Sequence, residues 1–122
     1  MKTSTEPDKT QCNAYIHAME DALYVIGGKW KLRIIIALRE GNKRFNEIQR
    51  AVSGISAKVL SAELKSLESN GLVTRNVLVD EFPVIVEYVL DDYSASLNGV
   101  LESLIDWGVG HRKKLADENQ PK

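Results

Sequence analysis

The stretch Gly54–Gly71, GISAKVLSAELKSLESNG, decides the fold of this chain because it predicts one helix with two different faces. Ser56 stands where an N-cap belongs, and Gly71 lies just past the end, where a residue without a Cβ ends a helix at low cost. The apolar face consists of leucines at the i, i+4, i+7 spacing: Leu60, Leu64 and Leu67. The opposite face consists of short side chains and two lysines: Lys58, Ser61, Ala62, Lys65 and Ser69. Such a face can approach a polyanion closely, but a solvated amphipathic helix carries the same pattern.

Three more helices are predicted before this one. The first runs from about Thr10 to Gly27-Gly28, where the chain turns so that Trp30 can enter the core as a structural residue. The second, within Lys29–Gly41, is apolar nearly all round and predicts a central buried helix. The third is NEIQRAV, with Asn46 as its cap. Because a short Ser-Gly turn joins it to the next helix, the pair predicts a helix-turn-helix.

Two β-branched segments follow, Leu72–Val79 and Val84–Leu90, and the DEFP turn between them predicts a β-hairpin. A three-helix unit followed at once by a hairpin is a winged helix. From Asp91 the chain becomes helical again, with a wide apolar stripe. We therefore expect an α+β, mostly helical winged helix-turn-helix: a three-helix core, a β-hairpin wing, and N- and C-terminal dimerisation helices. The expected divisions are a flexible tail over residues 1–10, the winged-helix domain with its flanking dimerisation helices over 11–110, and a charged C-terminal tail over 111–122.

Composition limits the class of protein. No apolar run approaches the roughly 20 residues of a membrane span, and the N-terminal MKTSTEPDKTQ has no apolar signal segment. Cys12 is the single cysteine, so no intramolecular disulfide can form. These features predict a cytoplasmic protein that is not attached to a membrane.

The net charge of −1 conceals a basic half and an acidic half. Residues 29–76 hold ten Lys/Arg and four Glu, a balance of +6, whereas residues 77–106 hold seven acids and no Lys or Arg, a balance of −7. This asymmetry indicates polyanion binding, although a solvated face can also produce it.

Three strings resemble the HxlR-type winged-helix transcription regulators, relatives of the MarR-like group. They are ALYVIGGKWKLRII (22–35), KRFNEIQRAVSGISAKVLSAELKSLESNGLVTR (43–75) and VEYVL (86–90), which keep the order and separations of the family's motifs. The resemblance implies a small homodimer that binds operator DNA near promoters. Several members of the family respond to electrophiles or oxidants.

Carried onto this sequence, the resemblance implies a set of DNA contacts. The segment 54–56, which ends at Ser56, would set the entry angle of a recognition helix over about 56–70. The positions nearest bases and phosphates would be Lys58, Ser61, Ala62 and Lys65. Arg44 and Asn46 would contact backbone phosphates, and Arg75, which leads into the wing, is a weaker candidate.

The sequence departs from the family at two places. Family wings commonly carry a basic residue beside the proline, but this tip carries Asp80 and Glu81, which would repel phosphates. The family often has a Cys-Pro pair about a dozen residues before the tryptophan. Here Cys12 lies 18 residues before Trp30 and is followed by Asn13. Cys12 is therefore a possible redox residue, but these departures favour a passive cysteine.

The first and last helices carry more apolar surface than the predicted core can cover. Candidates for an isologous dimer interface are Met19, Leu23, Leu101, Leu104 and Trp107. The alternative is that both helices pack on their own domain. The cations at 111–114 could contact DNA or complement a helix dipole.

Catalytic and metal-binding patterns are absent from the sequence. Cys12 and His17 do not share a helix face, and no zinc spacing, phosphate loop or nucleophile motif occurs. We therefore expect no enzyme, no cofactor and no metal. The sequence favours a homodimeric, sequence-specific regulator that binds double-stranded DNA, whose small-molecule or redox effector the sequence does not specify. The alternative is a winged-helix protein-interaction module without specific DNA binding.

Overall fold

The computed structural model describes residues 9–119, and its element order is that of a winged helix with an added helix at each end. The helices and strands are α1 (Lys9–Ile26), α2 (Lys31–Arg39), α3 (Phe45–Ala51), α4 (Ala57–Ser69), β1 (Val73–Leu78), β2 (Ile85–Leu90), a 3₁₀ helix (Asp92–Leu97) and α5 (Asn98–Asn119). The mostly helical winged helix-turn-helix class is therefore confirmed. The tail predicted over residues 1–10 lies outside the described residues, except that Lys9 and Thr10 already belong to α1.

Both ends of α4 are capped as the sequence predicts. The Ser56 hydroxyl accepts a hydrogen bond from the Val59 amide at 3.1 Å. Past the end of the helix, Gly71 has φ +78°, a conformation that glycine adopts without strain. The next amide, of Leu72, returns to the Leu67 carbonyl at 3.0 Å, which satisfies one of the last carbonyls of the helix. The apolar face is buried completely, because none of its three leucines is more than 1% exposed.

The core forms around α2. Ile34 and Ile35 are essentially inaccessible, as predicted for a central helix, and Ile48 of α3 is equally buried. Trp30, at the start of α2, packs against this cluster while half-buried. Its ring also lies beneath two cations, Lys29 Nζ at 4.7 Å and Arg33 Cζ at 5.1 Å from the ring centre.

The hairpin is antiparallel and its register runs from Val73↔Leu90 to Leu78↔Ile85. Both predicted strands are confirmed. The first is one residue shorter than predicted at each end, and the second begins one residue later than predicted. The link before α3 is extended at Arg44, and the Tyr88 amide donates to the Lys43 carbonyl at 2.8 Å. That bond fixes β2 against the α2–α3 link and so fixes the direction of the hairpin.

Two expectations need correction, and the C-terminal segment is described with them. Helix α3 begins at Phe45, so Asn46 lies inside its first turn and is not the cap; instead the Glu47 carboxylate accepts hydrogen bonds from the amides just before the helix. Leu101 is 2% exposed and belongs to the core of its own chain, so its side chain is not available to a partner. The charged segment from 111 is not separated from the preceding helix, because α5 continues to Asn119.

Candidate nucleic-acid interface

The outward face of α4 is continuous and exposed over its whole length. All four positions predicted to lie nearest DNA are solvent-accessible: Lys58, Ser61, Ala62 and Lys65. Ser56 is exposed as well, but its hydroxyl oxygen is engaged in capping the helix. The face therefore consists of small side chains between two lysines, which allows close approach to a polyanion.

A cleft between α4 and the hairpin extends this face toward the wing. Ser61, Lys65 and Arg75 line it together with Tyr88. Arg75 and Tyr88 are direct partners across the two strands. The hairpin thus places Arg75 in the same cleft as Lys65, so that two cations from different elements line one concave surface. Glu68 lines the same cleft and offsets part of its positive charge.

Tyr88 is a candidate site residue that the sequence analysis did not single out. Its phenol could donate to a phosphate from the same cleft as Lys65 and Arg75. The only signal in the sequence is the alternation of β2, which places residue 88 on one face with residues 86 and 90. Identifying its partner requires the register of the hairpin.

Helix α3 presents its N-terminal end with a fixed geometry. The Glu47 carboxylate accepts from the Lys43 amide at 2.9 Å and from the Arg44 amide at 3.1 Å. These two backbone hydrogen bonds, followed by the nearby charges of Arg44 and Arg50, hold the pKa of Glu47 below its ordinary value. The side chains of Arg44 and Asn46 are exposed beside this cap, where they can reach a phosphate.

An ion pair neutralises an acidic residue of α4. Lys31 Nζ lies 2.7 Å from Glu63 Oε1, and the two side chains are only 15% and 23% exposed. Glu63 Oε1 is buried and makes no hydrogen bond of favourable angle, so the contact is an ion pair without an aligned hydrogen bond. The pair joins the first turn of α2 to the middle of α4 and neutralises one of the two acids of α4.

Arg33 supports the turn that leads into α4. Its Nη2 donates to the Ser53 carbonyl at 3.4 Å, and its guanidinium lies over Trp30. A Cβ added to Gly54, which has φ +89°, would lie 4.0 Å from the same indole ring. Trp30 and Arg33 therefore both lie against the turn that leads into α4.

The wing tip carries acidic and apolar side chains, whereas the outward face of α4 carries lysines. Asp80 and Glu81 are exposed, and Phe82 between the acids and Pro83 is fully exposed. No lysine or arginine occurs between Arg75 and Arg112 in the sequence. The acidic tip expected from the sequence is thus presented to solvent at the far end of the hairpin.

The predicted interface residues lie mainly on exposed apolar faces of α1 and α5. Met19 is 55% exposed, Leu23 59%, Leu104 50% and Trp107 70%. Trp107 stacks on the His111 imidazole one helical turn later, with ring centres 4.9 Å apart. Cys12 lies half-buried on α1.

Within residues 9–119 no helix has both the length and the apolar character needed to span a bilayer. The same residues contain no cluster of three or more His, Cys, Asp or Glu side chains suited to a metal ion.

The capped α4 with its basic face, the preceding helix and the hairpin define the winged helix-turn-helix class of DNA-binding proteins. Residues 25–116 match the HxlR-like helix-turn-helix family, and the chain belongs to that family.

Relatives and solved structures agree with this assignment. The chain is 40% identical over 101 residues to the uncharacterized HTH-type transcriptional regulator YtcD of Bacillus subtilis (strain 168), a match that covers 83% of this chain and 79% of YtcD. The crystal structure of ytcD has a TM-score of 0.74 at 41% identity and covers 78% of this chain and 96% of that one. The crystal structure of a MarR-family regulator from Enterococcus faecalis V583 has a TM-score of 0.69 at 36% identity. That match covers 96% of this chain and 99% of the regulator. The reduced form of the redox regulator HypR has a TM-score of 0.74 at 35% identity, and the match covers 82% of this chain and 98% of HypR.

Proposed function

We propose that this DNA-binding transcription regulator acts as a homodimer on a pseudo-palindromic operator, with α4 as the recognition helix. The observation that carries the proposal is the exposed face of α4, which continues into the cleft that holds Lys65 and Arg75. Small side chains let the helix enter the major groove, and the flanking cations lie where phosphates border that groove.

In this proposal the contacts divide into two kinds. Lys58, Ser61 and Ala62 project from the exposed face of α4 and contact base edges or the adjacent phosphates. Arg44 and Asn46 at the start of α3, and Arg75 in the cleft, contact the backbone and fix the register of the helix on the duplex. Tyr88 joins the backbone contacts.

Dimerisation is proposed because α1 and α5 expose large apolar side chains that their own chain does not cover, among them Met19, Leu23, Leu104 and Trp107. An isologous contact between these helices would bury them and place two copies of α4 on one side of the assembly. Two recognition helices about 34–36 Å apart would read half-sites one helical turn apart.

The wing tip supports a second candidate function. An exposed Phe82 beside Asp80 and Glu81 suits a protein surface better than a phosphate backbone. A winged-helix module that uses this tip to bind a protein would not need specific DNA contacts.

Two finer points complete the proposal. The family consists of transcription regulators and is not an enzyme family, and we propose that this chain has no catalytic activity of its own. We also propose that it acts in the cytoplasm.

The decisive experiment is selection of bound sequences from a random duplex pool, followed by affinity measurements on the selected and a scrambled duplex. We expect an inverted repeat, a preference of about 10³ or more over the scrambled duplex, and a complex with two chains per duplex. Light scattering of the free and the bound protein gives that stoichiometry. Absence of an enriched sequence, with equal affinity for all duplexes, would favour the protein-interaction module.

A further inference from the structure

An apolar cavity of about 240 Å³ lies between α1 and the 3₁₀ helix. Ala22 and Val25 line it from α1, Leu97 lines it from the 3₁₀ helix, and Leu72 closes it next to α4. Three polar side chains, those of Asp21, Tyr93 and Ser96, also line the cavity. The cavity is formed entirely by one chain, and it lies away from the exposed face of α4.

The surroundings of this cavity connect it to the end of the recognition helix. The Leu72 amide donates to the Leu67 carbonyl, and the Leu72 carbonyl accepts from the Asp91 amide at 2.9 Å. Tyr93, which also lines the cavity, lies beside the α4 terminus, because a Cβ on Gly71 would be 3.9 Å from Tyr93 Cδ2. A molecule in the cavity therefore touches residues that are bonded to, or packed on, the last turn of α4.

The lining selects a ligand of definite chemistry. Apolar walls favour an apolar body, and the volume is just below the range of about 300–1,000 Å³ typical of drug-sized ligands. Asp21 is the one charged residue in the lining, and among residues 9–119 no ion pair or hydrogen bond engages its carboxylate. Asp21 is exposed to solvent, and its negative charge beside the apolar walls attracts a cation on a ligand and repels an anion.

We propose that this cavity binds a small amphipathic cation, an aromatic or aliphatic amine, and that occupancy alters the affinity of α4 for DNA. The ammonium group lies against the Asp21 carboxylate, and the apolar body lies between Val25, Leu72 and Leu97. The binding site is independent of the proposed DNA-binding function, but its regulatory consequence rests on that function.

The test uses the full chain and 2-phenylethylammonium as the probe, with 3-phenylpropionate as its anionic counterpart. We expect saturable amide shifts in NMR spectra at Ala22, Val25, Leu72 and Ser96, with a dissociation constant on the order of 1 mM for a ligand of this size. The anion should bind at least about fivefold more weakly, since it meets the same walls and a repelling carboxylate.

Three variants locate the site. Asp21→Asn should raise the dissociation constant of the probe about fivefold, and Ala22→Phe should abolish binding by filling the cavity. Glu20→Gln removes a neighbouring exposed acid of α1 that does not line the cavity, and it should bind the probe like the natural chain. Equal binding by Asp21→Asn, or shifts confined to other residues, would overturn the proposed site.

A second copy of the chain is the competing occupant, because Trp107 of α5 is exposed and apolar. In that case the cavity amides would shift on dilution of the protein and not on addition of the probe, which would overturn the ligand site. DNA affinity is measured separately, with and without saturating probe, and a change of about fivefold or more is expected. An unchanged affinity would overturn the regulatory part, whereas absence of DNA binding without the probe would refute the proposed function and leave the ligand result standing.

Discussion

Replacing Lys65 by alanine should reduce the salt dependence of DNA binding by an amount that the structure predicts. Four exposed cations lie on or beside the proposed interface of each chain: Arg44, Lys58, Lys65 and Arg75. A homodimer would therefore place about eight cations on phosphates, and the slope of log affinity against log salt should be about −7. With Lys65 removed from both chains, about six contacts remain and the slope should be about −5.

The measurement is fluorescence anisotropy of a labelled duplex that carries the selected sequence, over about 50–200 mM salt. Across that range the natural chain should lose about 10⁴ in affinity, and Lys65→Ala about 10³. Lys65→Arg is the matched control, since it keeps the charge at the same place in the cleft and should keep the slope.

Two results would contradict this reasoning. If Lys65→Ala and Lys65→Arg have the same slope as the natural chain, the cleft between α4 and the hairpin does not hold a phosphate. If the natural chain itself has a slope near −3, fewer than half of the four cations contact DNA, and the basic face of α4 is mainly a solvated surface.

Lys58→Ala should cost about 1–3 kcal/mol and relax specificity at one base position, whereas uniform weakening on all duplexes would make Lys58 a phosphate contact. Exchange of Asp80 and Glu81 for lysine should raise DNA affinity if the wing approaches the backbone, and unchanged affinity would place the tip away from it. Glu47→Gln should lower the Tm at neutral pH, because the lowered pKa means that the ionised carboxylate stabilises the fold; this contribution is lost as the pH falls below the ordinary value of about 4.5. A Tm difference that persists in acid would disprove that origin. Cys12→Ser should bind operator like the natural chain with and without a thiol oxidant, because the Cys-Pro pattern of the family is missing; an oxidant effect that only the natural chain shows would make Cys12 a sensor.

Local signals in the sequence were sufficient for the secondary structure of the central domain. The cap at Ser56, the glycine at position 71 and the leucine spacing between them fix α4 by interactions within about four residues. The hairpin was equally predictable from two β-branched segments and a turn with proline. The start of α3 was misplaced because its cap comes from Glu47, a side chain inside the helix that bonds backward to Lys43 and Arg44.

The spacing of apolar residues in the last helix did not predict which of them would be buried in the core. Leu101 and Leu104 lie in the same stripe of α5, yet the first is 2% exposed and the second 50% exposed. Helical spacing places both on one side of the helix, but only the packing of α5 on the core determines how far that contact extends. The helix α5 likewise continues past residue 111, because charged residues continue a helix as readily as they end one.

The chain's sequence by itself determined the class of the fold and the position of the helix with which we began, Gly54–Gly71, since capping and spacing act along the chain. It also determined the basic and acidic halves. The tertiary structure alone decided that Lys65, Arg75 and Tyr88 share a cleft, and that Lys31 neutralises Glu63. Those pairs are far apart in sequence, and their distances depend on the register of the hairpin and on how α2 packs against α4. No local pattern of residues carries that information.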